Sequence, residues 1–546
     1  MKVSIAQLNY RIGDFEGNTN KIIEAINKAK AEKVNLIVFS ELAVTGYPPE
    51  DFMDYPWFIE KQNTFTNKIT KECVGITAVI GAITENRGKG RKLFNSALVM
   101  EEGIIKHTVN KTLLPTYDIF TECRYFEPNS VFKTIEIQGK KVAITICEDL
   151  WSKYNDFEYH LDVLEQYKNQ NIDLVVNIAA SPYNQDKFDV RDKVLRGNTK
   201  DNDIPLIYVN QVGAHTDVLF DGNSSVWSSG KKVLELPSFE EDQVFFDLSS
   251  TIQNEEIENE YYVEEDHVLD ALVFGIKEYF QKMGFTKCLL GSSGGIDSAV
   301  VQALGTLALG GENVFAVLMP SEFSSDGSIS DAEQLSKNCS NPYEVIPIKG
   351  VYDSYLEALE PVFAGTKFNI AEENLQARAR GMTLMAISNK KGGILLNTSN
   401  KSEMSVGYST LYGDMCGGLS PIGDLYKMEV YALARFINKK HGLLIPEEII
   451  NKEPSAELRP DQKDSDSLPI YPILDKILYQ YIEERKSPEE IIASGIEEAV
   501  VLDVLGKVNR NEYKRYQAAP VLRVSKKAFG YGRRMPLVGK YFTERA

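Results

Sequence analysis

The sequence predicts an α/β protein built in two parts, and three observations predict it. Short apolar runs alternate with helix-length amphipathic segments over residues 1–250. The texture then breaks at an acidic stretch poor in aliphatic side chains, and beyond it the alternation restarts. At 546 residues the chain is also longer than one core organises, so two or more domains are expected.

Taken in order, Lys2–Leu8, Leu36–Ser40, Thr77–Ile83, Lys141–Ile146, Leu174–Ile178 and Leu206–Asn210 read as strands. Asn20–Lys33, Trp57–Lys71, Leu161–Lys168 and Gln185–Asp201 read as helices between them. These make the first domain, 1–250. "TIQNEEIENEYYVEEDH", Thr251 to His267, is the expected linker. A helix over 268–283, a strand over 286–291, a helix over 296–309 and a strand over 313–319 then open a second domain, 268–546. No internal repeat or low-complexity tract is present, so the halves are expected to be different machines.

Composition excludes several classes. With 43% hydrophobic and 10% aromatic residues the chain is ordinary for a globular fold, not a disordered one. It has no apolar run of about 18 residues, and "MKVSIAQ" enters a strand-like alternation instead of a charged and then apolar leader. A cytoplasmic protein that engages no membrane is expected. The net charge of −18 argues against broad nucleic-acid binding, while a small anionic ligand answers to local fields. The six cysteines, at 73, 123, 147, 288, 339 and 416, form no metal-knuckle or thioredoxin pair. Each is by default a small buried hydrophobe.

Cys147 tests that default. In "VAITICEDLW" an apolar strand runs into the thiol and then into Glu148 and Asp149. Glu41 ends the apolar run "LIVFSE", and Lys111 follows an extended, hairpin-like stretch. Three reactive side chains thus sit where strands give way to loops, the usual location of α/β sites. A nearby Lys111 would favour the thiolate of Cys147, and Glu41 could accept or return its proton. On residue types alone, buried hydrophobe and nucleophile both stay open.

In the second half, "LLGSSGGIDSAV" joins a strand to a helix through three glycines and two serines. Such a loop lets backbone amides approach an anion at a helix N-terminus. It lacks the lysine of the common nucleotide-hydrolase loop, so phosphate binding rests on the turn itself.

Family resemblance goes further. "SELAVTGYPPEDF", "NKTLLPTYDIFTECRYF" and "ITICEDLW" resemble, in order, the signature segments of the nitrilase superfamily, in the form found in the glutaminase domains of glutamine-dependent NAD+ synthetases. The resemblance implies an αββα sandwich with Glu41 as general base, Lys111 stabilising the oxyanion and Cys147 as nucleophile. It also implies Tyr117, Ser181 and Lys187 as the residues that hold glutamine. Thr121 departs from the family's usual aspartate.

"SGGIDS" resembles the signature of the ATP pyrophosphatases, and "EENLQARARGMTLMAISN", "NTSNKSEMSVGYSTLYGDMCGGLSPIGDLYK" and "NEYKRYQAAP" resemble the rest of an NAD+ synthetase domain with a Rossmann-like core. The resemblance implies ATP at Gly291, Ser292, Ser293, Gly294, Gly295, Ile296, Asp297, Ser298 and Thr398. It implies deamido-NAD+ at Asn374, Glu403 and Lys514, and Mg2+ at Asp297 and Glu403. Lys401 and Asp414 transfer less directly, and Asn397 stands where the family usually has glycine. The implied reaction consumes glutamine, ATP and deamido-NAD+ in a homo-oligomer. The alternatives are a related glutamine-dependent ligase with another acceptor, and a non-catalytic regulatory protein of the same folds.

Overall fold

The computed structural model describes residues 1–153, 159–257, 264–460 and 462–539. Contacts divide the chain into two compact units, Met1–Tyr262 and Val263–Ala546.

The first unit is built on two six-stranded sheets. One runs 242–247, 2–7, 36–38, 77–85, 93–101, 104–110, and the other 231–235, 225–228, 206–210, 174–179, 140–146, 135–137. Alternation along the strands explains the layering. Leu36 and Val38 join Val79, Ala97 and Val99 of the first sheet to Val142, Ile144, Val176 and Ile207 of the second in one core. Their neighbours Ile37, Ala78 and Ile80 face the opposite way, onto Ile22, Ile26 and Ile69 of the helices Phe15–Ala31 and Pro56–Glu72. Two sheets packed face to face, with a helix Lys187–Asn202 against the second, make the αββα sandwich.

The strands and helices expected here form, with boundaries moved by a few residues. The exception is Leu161–Lys168, which is a 3-10 turn over Leu164–Gln170 that ends at Asn171 with φ of 53°. Glu165 and Lys168 pair with each other there at its surface, and only Leu164 and Tyr167 are buried, too few apolar positions to seat a full helix.

The second unit carries a four-stranded sheet in the order 343–345, 314–318, 288–291, 394–395, all parallel. The helix Ile296–Leu309 begins and ends where the sequence places it, and the strands expected at 286–291 and 313–319 shorten to Cys288–Gly291 and Val314–Leu318. Helices Tyr471–Ile482, Pro488–Ala493 and Glu498–Arg510 bury a separate cluster around Leu474, Leu478 and Val504. Of the expected linker, 258–263 lies outside the described residues. Its last four residues form the first turn of the helix Glu264–Met283, where Glu264, Glu265 and Asp266 suit the positive end of the helix dipole. No helix among the described residues is long and apolar enough to cross a membrane.

Candidate active sites

In the first unit the turn after strand Leu36–Val38 carries Glu41, and Gly81 of the neighbouring strand passes directly beneath it. A Cβ on Gly81 would lie 2.2 Å from the Leu42 nitrogen and 2.5 Å from the Ser40 oxygen, so only glycine lets the two backbones approach this closely. Strand Lys140–Ile146 ends at Cys147, whose φ of 44° is left-handed and rare for a residue with a Cβ. Asp149 brackets this turn. Its carboxylate accepts from the Ile146 amide at 2.9 Å and from the amides of Thr112 and Leu113 at 3.0 and 2.8 Å, tying the cysteine turn to the loop that carries Lys111.

The three residues meet in the interior. Lys111 Nζ lies 2.7 Å from Glu41 Oε1 and 2.7 Å from Glu122 Oε1, all three side chains being buried. Burial alone would depress the lysine, but Glu122 and Glu41 outweigh it and hold it well above its ordinary value, so it is an ammonium. Glu122 is pushed up to about 7 by burial, against the pull of Lys111, and also accepts from Tyr47 Oη at 2.9 Å. Burial pushes the Cys147 thiol well above its ordinary range; Glu41 adds to this and Lys111 opposes it. Lys111 thus pulls towards the thiolate, as its charge implies, but burial and Glu41 outweigh that pull. The ammonium is shared between two carboxylates, and a buried thiol of this kind suits a base that takes its proton as the sulfur attacks.

Around the cysteine, Glu148 accepts from Tyr117 Oη at 3.0 Å and from Tyr159 Oη at 2.8 Å. Ser181 is held by Asn210 on both its amide and its carbonyl, and Lys187 Nζ sits 3.7 Å from the centre of the Trp151 ring, its basicity lowered by burial. Thr121 makes no capping bond with its side chain, yet Glu122 still reaches Lys111. Glu122 and Glu148, given no role by motif matching, prove to be the carboxylates that frame the cluster. Their only sequence signal is adjacency to Thr121 and to Cys147.

In the second unit a cavity of about 420 Å3 opens at the C-terminal ends of the parallel strands. Gly291, Ser292, Ser293, Gly295, Ile296, Asp297, Ser298, Asn374, Thr398, Glu403, Asp414 and Lys514 all line it. Gly294 does not. Its φ of 76° and the Ser328 carbonyl, 2.2 Å from where a Cβ would stand, make it the residue that closes the loop. Ser293 and Ser298 hydroxyls lie 3.1 Å apart across the turn, and the helix from Ile296 has no side-chain cap on its N-terminus. The Ser292 hydroxyl instead donates into the core to Gln302 at 2.8 Å, and its amide donates to the Val317 carbonyl at 3.0 Å.

Asp297 and Glu403 converge on one cation, the Lys427 ammonium, at 2.5 and 3.1 Å, and Asn400 Nδ2 donates to the other Asp297 oxygen at 2.9 Å. Burial pushes Glu403 up to about 8, with Lys427 opposing it. A pair of carboxylates on the cavity wall suits a hard divalent cation that takes its remaining ligands from water and phosphate. Among the described residues no group of three or more acidic, histidine or cysteine side chains forms a complete metal cage. Asn374 accepts from Thr410, and Lys514 donates to the Gly407 and Ser409 carbonyls at 2.8 and 2.7 Å. Asn397, in place of glycine, donates to the Asp414 carbonyl at 2.7 Å and accepts from the Ser399 amide at 2.9 Å, so its side chain pins the loop.

Lys401 is not among the residues lining the cavity. Fully buried, it pairs with Asp424 at 2.9 Å and with Glu483, and donates to Ser525 at 2.7 Å, while Asp424 accepts the Val524 and Ser525 amides. It clamps the C-terminal segment. Lys401→Met is expected to leave two buried carboxylates uncompensated and to destabilise the second unit by about 3–5 kcal/mol, seen as a lower urea midpoint. A raised KM for ATP at unchanged stability would instead assign Lys401 to substrate.

Comparison with known proteins finds a match for each unit. Residues 2–255 match the carbon-nitrogen hydrolase family and residues 268–518 the NAD synthase family. The chain is 43% identical to the glutamine-dependent NAD(+) synthetase of Synechocystis sp. over 98% of each, and 40% identical to that of Thermotoga maritima over 99% of each. The solved glutamine-dependent NAD+ synthetase of Acinetobacter baumannii in complex with ADP superposes with a TM-score of 0.78 at 37% identity, covering 98% of both chains. That of Cytophaga hutchinsonii, 21% identical, shares the fold with a TM-score of 0.83 over 99% of this chain and 98% of its own. With both units matched in order and nearly end to end, the chain belongs to the glutamine-dependent NAD(+) synthetase family.

Proposed function

We propose that the chain makes NAD+ from deamido-NAD+, using ATP for activation and the amide of glutamine as the nitrogen source, with glutamate, AMP and pyrophosphate as the other products. In the first unit Glu41 takes the Cys147 proton as the sulfur attacks the glutamine carboxamide, and Lys111 stabilises the oxyanion. Tyr117, Ser181 and Lys187, with Glu148, hold the amino-acid end. The C–N bond breaks, ammonia leaves with the proton returned by Glu41, and water cleaves the γ-glutamyl thioester to glutamate.

In the second unit the nicotinate carboxylate, a poor electrophile, attacks the α-phosphate of ATP and pyrophosphate leaves into the glycine loop. Ammonia then attacks the acyl adenylate, and AMP departs. Asp297 and Glu403 are the residues that would hold Mg2+, which when bound offsets charge on the leaving pyrophosphate. Thr398 serves ATP, and Asn374, Glu403 and Lys514 serve deamido-NAD+. Ammonium is no nucleophile, so delivering nitrogen as nascent ammonia explains one chain carrying both chemistries. That logic favours an enclosed transfer path in a cytoplasmic homo-oligomer, which a solution mass several times that of one chain would support.

The observation that carries the reading is the burial of the Cys147 thiol with a carboxylate paired to a lysine at 2.7 Å, a set suited to acyl transfer from an amide. The test supplies deamido-NAD+, ATP and either glutamine or ammonium and measures NAD+ and AMP. Equal amounts of both, with either nitrogen source, are expected. AMP formed without NAD+, or with a different carboxylate only, would overturn the acceptor.

A further inference from the structure

We propose that Asn95 is a positioning residue of the glutaminase reaction, holding the Glu41 carboxylate in the orientation from which it takes the Cys147 proton. The proposal rests on reading Glu41 as the base. Asn95 lies on strand Leu93–Glu101, opposite Ile83, and is fully buried. By strand alternation it shares a face with Ala97 and Val99, which belong to the apolar core between the sheets. An amide on that face needs a reason.

Its contacts supply one. Asn95 Nδ2 donates to Glu41 Oε1 at 2.6 Å, and the Asn95 backbone carbonyl accepts from the Lys111 amide at 2.8 Å. One residue thus fixes both members of the pair. The carboxylate as a whole is held by Asn95 and Lys111 on Oε1 and by the Ala180 amide on Oε2, at 2.9 Å. Because a carboxylate only accepts, the nitrogen of the amide must face it. Asn95 Oδ1 then has no partner among the described residues, an unfavourable state for a buried acceptor. The position therefore keeps an amide for its donor, against a penalty that an apolar side chain would avoid. Without that donor, Oε1 answers to the Lys111 ammonium alone and the carboxylate rotates towards it.

Two substitutions separate this role from space filling. Asn95→Asp keeps the volume but sets a second carboxylate against Glu41, whereas Asn95→Ala removes the donor and opens a small cavity. The expected order is a fall in glutamine-dependent kcat of about 10^2-fold or more for Asn95→Asp and about tenfold for Asn95→Ala, with the KM for glutamine little changed. Ammonium-dependent synthesis stays at its original rate in both. A packing role predicts the reverse order, and that result, or two near-normal variants, would overturn the proposal. Melting temperature gives a second reading that needs no activity. Adding Glu41→Gln to Asn95→Asp exchanges donor and acceptor and should recover the stability lost in Asn95→Asp alone, and no recovery would count against the pairing. Glu41→Gln by itself tells the two readings apart. If it leaves glutamine-driven synthesis intact, Glu41 is not the base; if it abolishes that synthesis while Asn95→Asp does not impair it, only the role of Asn95 falls.

Discussion

Cys147→Ala is expected to lower NAD+ formation from glutamine by about 10^4-fold or more, while formation from ammonium continues within about twofold of its original rate. The size of the first effect follows from covalent chemistry: without sulfur no thioester forms, and neither Glu41 nor Lys111 can substitute for the missing nucleophile. The second follows from separation, since Cys147 belongs to the first unit and the cavity of about 420 Å3 lies wholly in the second. Structural damage should be small. Cys147 is 5% exposed, and the turn is held by Asp149 through three backbone amides that the substitution leaves alone. The strained φ of 44° remains within reach of alanine at a modest penalty. Measuring NAD+ with each nitrogen source decides the matter, and loss of both activities in a folded variant would show that the two chemistries are not separable.

How far the sequence foretold these sites differs from residue to residue, and the reason is physical. Glu41, Cys147 and the loop from Gly291 sit at the ends of apolar strands, so local patterning marks them, and the helix Ile296–Leu309 follows from its own apolar face. Glu122 is different. It reaches Lys111 only because the loop between them folds back through a 3-10 turn at Glu122–Arg124, a path set by tertiary packing and by no periodicity. Lys401 and Glu403 illustrate the same limit on one short helix. Two residues apart, they are about 200° apart around the axis, so Glu403 faces the cavity while Lys401 turns to Asp424 and Glu483. A motif that spans both cannot say which one meets the ligand. Lys427, which links Asp297 to Glu403, lies after "GDLY" at the start of its own helix, with nothing local to announce the 130 residues it bridges.

Asp297→Asn should be the most damaging single change in the second unit, lowering AMP and NAD+ formation by about 10^2–10^3-fold with either nitrogen source. Asparagine keeps the shape and can still accept from Asn400 Nδ2, so the loop from Gly291 should hold its course. What changes is charge. Asp297 and Glu403 share the Lys427 ammonium, and Asp297 is the nearer of the two, at 2.5 Å against 3.1 Å. The substitution leaves the lysine facing an amide nitrogen and removes one of the two carboxylates from the position we assign to Mg2+. Raising Mg2+ should therefore recover part of the activity in the variant, and the concentration needed for half-maximal rate should rise by about tenfold or more. Hydrolysis of glutamine to glutamate, assayed alone, should be unchanged, because the residues we assign to it all belong to the first unit. Full synthesis by the variant at limiting Mg2+ would remove Asp297 from the metal site and leave its bond to Lys427 as its whole role.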